Sequence, residues 1–142
     1  MRIFGHILTQ NGMPDVLRAV ESLYSVCDEI FVLDGGSVDG TLEFLKDRVA
    51  IYNLKIFEKP FGTIQNQRQF LLEQTPKNNW VVTVDQDEML SKDLQKELRT
   101  IIHNIREPEL EDEKRKNPYV IKIPYFTLFK DIKHHSTEDY IE

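Results

Sequence analysis

Residues 80–88 read Trp-Val-Val-Thr-Val-Asp-Gln-Asp-Glu: five residues of strand-forming type run straight into a cluster holding three carboxylates. A short run of this kind fits a strand buried in a sheet with helices above and below it. Four other runs share the character: Ile3 to Leu8, Glu29 to Leu33, Leu54 to Phe57 and Tyr119 to Phe126. Segments of helical period separate the first four, and that alternation predicts stacked βαβ units. The expected fold is therefore α/β, a mostly parallel sheet of about five strands flanked by about four helices.

The helices are read from their apolar faces and caps. Pro14 suits the first turn of a helix that places Val16, Leu17, Val20, Leu23 and Tyr24 on one side. Asp39 reads as the N-cap of a second, with Leu42 and Leu45 inward, and Ser91 as the cap of a fourth, with Leu94, Leu98, Ile101, Ile102 and Ile105 on one face. The third, Thr63 to Gln74, is irregular: Gln65, Asn66, Gln67, Arg68 and Gln69 form a polar block ahead of Phe70, Leu71 and Leu72. A helix with so polar a head needs a reason outside packing.

Composition narrows the function. The 142 residues, 40% of them hydrophobic, suffice for one core, so residues 1–142 read as a single domain, with 106–118 as a charged surface loop. With 18 Lys and Arg against 24 Asp and Glu, the net charge of −6 repels a phosphate backbone, which disfavours nucleic acid as a partner. Cys27 is the only cysteine and so forms neither an internal disulfide nor a multi-cysteine zinc site. No stretch approaches the ~20 apolar residues of a membrane span, and the first residues carry no address, so a cytoplasmic location is expected.

In open α/β sheets ligands gather at the carboxyl ends of the strands. Like charges as close as Asp85, Asp87 and Glu88 repel one another unless a cation compensates, and hard divalent ions prefer such oxygens. Alternation along an extended strand end lets Asp85 and Asp87 share a ligand while Gln86 points elsewhere. The competing reading is a solvated loop, or acids that merely favour the helix beginning near Ser91. Met89 and Leu90 occupy positions that an EF-hand loop would reserve for a ligand and a glycine. The second run ends in Asp34-Gly35-Gly36-Ser37-Val38-Asp39-Gly40-Thr41, which suits close backbone approach to a ligand and equally an ordinary turn into a helix. A dinucleotide fingerprint, a phosphate-binding G-x-x-x-x-G-K loop and a nucleophile elbow are all absent.

In chain order, VLDGGSVDGT, FGTIQNQRQFLLEQ and WVVTVDQDEM resemble the family 2 glycosyltransferases of GT-A fold, over about Ile3 to Leu90. The resemblance implies a nucleotide-sugar donor, a divalent metal, Mn²⁺ or Mg²⁺, and transfer with inversion to an acceptor that is a glycan, lipid or protein. It assigns Asp85-Gln86-Asp87 to the DxD motif, with Asp87 on the metal and Asp85 on donor ribose or metal-linked groups. It places Thr9, Gln10, Asp34, Gly36 and Ser37 around the nucleotide base, and Arg68 beside the nucleotide, which accounts for the polar block.

The family takes its general base from a C-terminal half that also builds the acceptor site. Here the candidates are Glu138 and Asp139, only 51 residues after Asp87, and a charged tail is the simpler reading of them. The chain is thus expected to be a short member or a donor-binding portion. His134 and His135 read as surface residues, and His6 and His103 suggest no chemistry. The rivals are a binding module that keeps the donor pocket without turnover and a metal-dependent phosphatase. The phosphatase is disfavoured because neither Asp34 nor Asp85 begins a D-x-D-x-T run.

Overall fold

The computed structural model describes residues 2–58, 62–104, 126–129 and 132–135, the last two segments as backbone only. The chain divides into two compact units, Met1–Arg106 and Glu107–Glu142, each described by itself. In the first, β1 (Ile3–Thr9), β2 (Glu29–Asp34), β3 (Leu54–Glu58) and β4 (Trp80–Asp85) form a parallel sheet in the order β3-β2-β1-β4. Five helices accompany them: α1 (Asp15–Tyr24), α2 (Thr41–Lys46), α3 (Val49–Tyr52), α4 (Ile64–Gln74) and α5 (Lys92–Asn104). In the second unit, β5 (Phe126–Phe129) and β6 (Ile132–His135) pair antiparallel. Of the expected fifth strand, only Phe126 falls within the described residues, and the expected loop 106–118 lies outside them.

Alternation along each strand sorts its side chains between two cores. Ile3 and Ile7 of β1, Ile30 and Val32 of β2, Leu54 of β3 and Val84 of β4 join Val16, Ala19, Val20 and Leu23 of α1, with Leu45 and Leu98 beneath α2 and α5. On the opposite face Phe4, Phe31 and Leu33 meet Leu71 of α4, with Phe57 and Phe70 packed alongside. Each fully buried Leu or Phe contributes about 1.5–3 kcal/mol, so both faces are held by burial and the apolar runs read continuously.

Each strand runs one residue beyond its apolar run, into Thr9, Asp34, Glu58 and Asp85. The ladder explains this: Thr9 pairs with Asp34, Asp34 with Glu58, and Leu8 with Asp85, so the first polar residue after each run is still held by the sheet. Strand order reverses between β1 and β4, and their carboxyl ends therefore flank a topological switch point.

Several local expectations are corrected. The described residues of this unit form five helices, because a one-turn helix, α3, follows α2, closed by Asn53 in the left-handed region at φ 51°. The N-cap of α2 is Gly40 at φ 91°; Asp39 acts from one residue earlier, its Oδ1 accepting from the Thr41 amide at 3.0 Å. Tyr24 is half exposed, in edge contact with Tyr52, and Ala19 and Ser22 take the inward places on α1. Ile101 points outward, and Leu94, Leu98 and Ile102 make the packed face of α5. Ser91 caps as expected, accepting from the Leu94 amide at 3.2 Å, whereas Thr63, read as the first residue of its helix, is its N-cap and accepts from the Asn66 amide at 3.2 Å.

Candidate active site

Asp34 is 1% exposed, and its carboxylate organises the turn that follows β2. Oδ1 accepts the amides of Gly36 and Ser37 at 2.9 and 2.8 Å, while Oδ2 accepts the Ser37 hydroxyl at 2.5 Å. These bonds offset the cost of burying the charge, so the Gly35-Gly36-Ser37 turn and the carboxylate hold one another. Gly36, at φ 97°, takes a conformation that a side chain would oppose.

The loop after β1 is tied to this turn. Gly35 N–H donates to Thr9 O, Asn11 N–H to Ser37 Oγ and Val38 N–H to Asn11 Oδ1, all at 2.8 Å. Farther along, Gly12 N–H donates to Thr41 Oγ1 at 2.9 Å and Met13 N–H to Asp39 Oδ2 at 3.2 Å. The Thr41 hydroxyl bond, and then the Thr41 and Met13 amides, outweigh desolvation and hold the Asp39 carboxyl below the ordinary carboxylate range.

At the end of β4 the three acids separate in role. Asp85 accepts Arg68 Nη2 from α4 at 3.0 Å, an ion pair with both side chains about half exposed. Glu88 is taken up by the turn itself: its Oε2 accepts the Asp85 amide at 2.8 Å, and its own amide donates to Asp85 O at 3.0 Å. Asp87 is exposed. Gln86 lies in the turn just past the end of β4, and its Oε1 accepts from the Thr9 hydroxyl and the Gln10 amide, both at 2.9 Å.

Thr9, Gln10, Asp34, Gly36, Ser37, Arg68, Asp85 and Asp87 thus gather at the carboxyl edge of three adjacent strands. Thr9 is buried with its hydroxyl given to Gln86, whereas Gln10 is exposed. Glu138 and Asp139 lie outside the described residues. Sequence reasoning missed Asn11, Gly12, Gln86 and Thr41 as parts of this edge. Asn11-Gly12, one residue past the end of β1, reads in the sequence as a turn and nothing more.

Among the described residues no group of three or more His, Cys, Asp or Glu side chains is placed to hold a metal ion. Asp85 and Asp87 are hard oxygen donors of the right kind for Mn²⁺ or Mg²⁺, but an ion there requires further oxygens from its ligand.

Residues 6–107 match the model of the family described as Glycosyl transferase family 2. A glycosyltransferase of Rickettsia conorii is 35% identical over 105 residues, covering 72% of this chain and 36% of that protein. The lipopolysaccharide core biosynthesis glycosyltransferase LpsC of Rhizobium meliloti is 33% identical over 86 residues, covering 60% of this chain and 31% of its own. The chain spans about a third of the length of the curated relatives it matches. Among solved structures, Staphylococcus aureus TarS 1–349 superposes with a TM-score of 0.61 at 24% identity, covering 72% of this chain and 32% of that one. TarS has also been crystallised in complex with UDP-GlcNAc and with UDP. The parallel βαβ unit, the polar carboxyl edge and the family match agree: the chain belongs to glycosyl transferase family 2 and carries that family's glycosyltransferase domain over residues 6–107.

Proposed function

We propose that this domain binds a nucleotide-sugar across the carboxyl ends of β1, β2 and β4 and donates the sugar, with inversion, to a glycan, lipid or protein acceptor. The observation that carries the reading is the convergence of a buried, fully bonded Asp34 turn with an acidic turn at the switch point, one end suited to a base and the other to a diphosphate. TarS, similar in fold and crystallised with UDP-GlcNAc, supports uracil as the base to try first. A divalent ion held by Asp87, with Asp85 beside it, would supply charge neutralisation to the departing diphosphate.

The chain's own groups do the rest. The rigid Asp34–Ser37 turn orients the base end without reorganisation on binding, and exposed Gln10 borders the same opening. Arg68 lies against Asp85, so the acidic turn already carries one cation, and in this reading the guanidinium faces the diphosphate as well. The proposed site of action is the cytoplasm. No described helix is long and apolar enough to cross a membrane.

Thermal shift with UDP tests this directly. UDP at ten times its dissociation constant should stabilise the chain by about 1.4 kcal/mol, a few degrees at this size, when Mn²⁺ is present. The same shift in EDTA would remove the metal from the reading, and no shift in either condition would remove the nucleotide.

Arg68→Ala isolates the cation. An ion pair this exposed contributes at most about 1 kcal/mol, so the melting temperature should barely move. UDP affinity should fall about tenfold while its dependence on Mn²⁺ persists, as titration calorimetry would report. Unchanged affinity would show that Arg68 does no more than neutralise Asp85.

A further inference from the structure

The acidic turn does not take its position independently of the base loop. Gln86 Oε1 receives both the Thr9 hydroxyl and the Gln10 amide at 2.9 Å, across the switch point between β4 and β1. From there the connection is continuous: Thr9 O receives Gly35 N–H, Asn11 N–H reaches Ser37 Oγ, and Ser37 Oγ reaches Asp34. The Gln86 bond is also closely packed. A Cβ added at Gly12 would stand 2.5 Å from Thr9 Oγ1 and 2.9 Å from Gln86 Oε1, so a side chain there would displace the bond.

We propose that Gln86 is a positioning residue that fixes the distance between the Asp85–Asp87 turn and the Asp34 base loop, so that the two ends of a nucleotide diphosphate are met by one braced unit. The inference deepens the proposed function and rests on it. A nucleoside diphosphate has a limited span, and a misplacement of about 1 Å between groups that must engage it together costs up to ~10²-fold. The base loop keeps its own supports, the Asn11–Ser37–Asp34 bonds and the Gly35–Thr9 bond, when Gln86 is lost. Loss of Gln86 should therefore separate the two ends of the ligand rather than weaken both.

The test measures binding of uridine, which has no phosphate, and of UDP with Mn²⁺, to the parent, Gln86→Leu and Gln86→Glu. Gln86→Leu removes the acceptor at similar size: UDP affinity should fall at least tenfold, with uridine affinity within about twofold of the parent. Gln86→Glu keeps an oxygen for both donors and should restore UDP binding to the parent level or above. If Gln86→Leu does not fold, Gln86→Asn, whose acceptor is withdrawn by one methylene, should show the same split in smaller measure. Parent-like UDP binding by Gln86→Leu overturns the proposal, as does equal loss of uridine and UDP, or a Gln86→Glu variant no better than Gln86→Leu. A parent that binds neither uridine nor UDP refutes the nucleotide reading itself, and the proposal with it, without recourse to any variant.

Discussion

Asp87→Asn is expected to leave the fold intact and to abolish the Mn²⁺-dependent part of UDP affinity, a loss of about 10²-fold, or roughly 2.7 kcal/mol. The fold should survive because Asp87 is exposed, and exposed side chains without structural partners change stability by no more than about 0.5 kcal/mol. Its neighbours cannot substitute. Glu88 is committed to the Asp85 amide, and Asp85 already faces Arg68. An amide at position 87 retains an oxygen but not the charge, and a divalent ion shared between protein and diphosphate depends on that charge. UDP titrations of parent and variant, each with Mn²⁺ and with EDTA, give the answer: the two proteins should differ only when metal is present. A variant that still tightens its hold on UDP when Mn²⁺ is added would move the metal site elsewhere.

The separate fates of the three acids show what was legible in the sequence. The strands were, because a parallel sheet covered on both faces demands apolar side chains at successive positions, and a run such as Ile30-Phe31-Val32-Leu33 satisfies both cores at once. Strand ends were misplaced by one residue because pairing of Thr9 with Asp34 and of Leu8 with Asp85 continues the ladder after hydrophobicity stops. Strand alternation was the ground for expecting Gln86 to point elsewhere than Asp85, but the strand ends at Asp85. Alternation did not reveal where Gln86 goes, since its partners Thr9 and Gln10 are some 76 or 77 positions away and look locally like any loop. Asn11 was equally silent: a left-handed Asn before a Gly reads as a turn, and only the fold brings Ser37 and Val38 to it. The polar head of α4 was legible as an anomaly, and the structure brings its Arg68 to Asp85.

Among the described residues His6 carries the largest expected dependence of stability on pH in the acid range. Read alone it suggested no chemistry; in the structure it is 3% exposed and stacked on the Phe31 ring at 5.8 Å. Its Nε2 meets Thr75 Oγ1 at 2.8 Å, and Thr75 gives its single hydroxyl proton to Leu71 O at 2.9 Å. His6 Nε2–H is therefore the donor, and Nδ1 is the atom that must take up a second proton inside the core. Burial pushes the imidazole pKa down from 6.5 to about 4. Between those values the unfolded chain binds the proton and the folded chain does not, so this contribution is complete above pH 6.5 and is lost as the pH falls toward 4. The shift corresponds to about 3 kcal/mol, a large part of the stability of a domain this size. Asp28 and Asp39 do not confuse the measurement, since their carboxyls are held below 3.8 and their contribution is lost only at lower pH. Urea unfolding at pH 7.5 and 4.5 should show the parent losing about 2–3 kcal/mol more than His6→Gln, which has no group to titrate there. Equal pH sensitivity in parent and variant would locate the acid-labile group elsewhere.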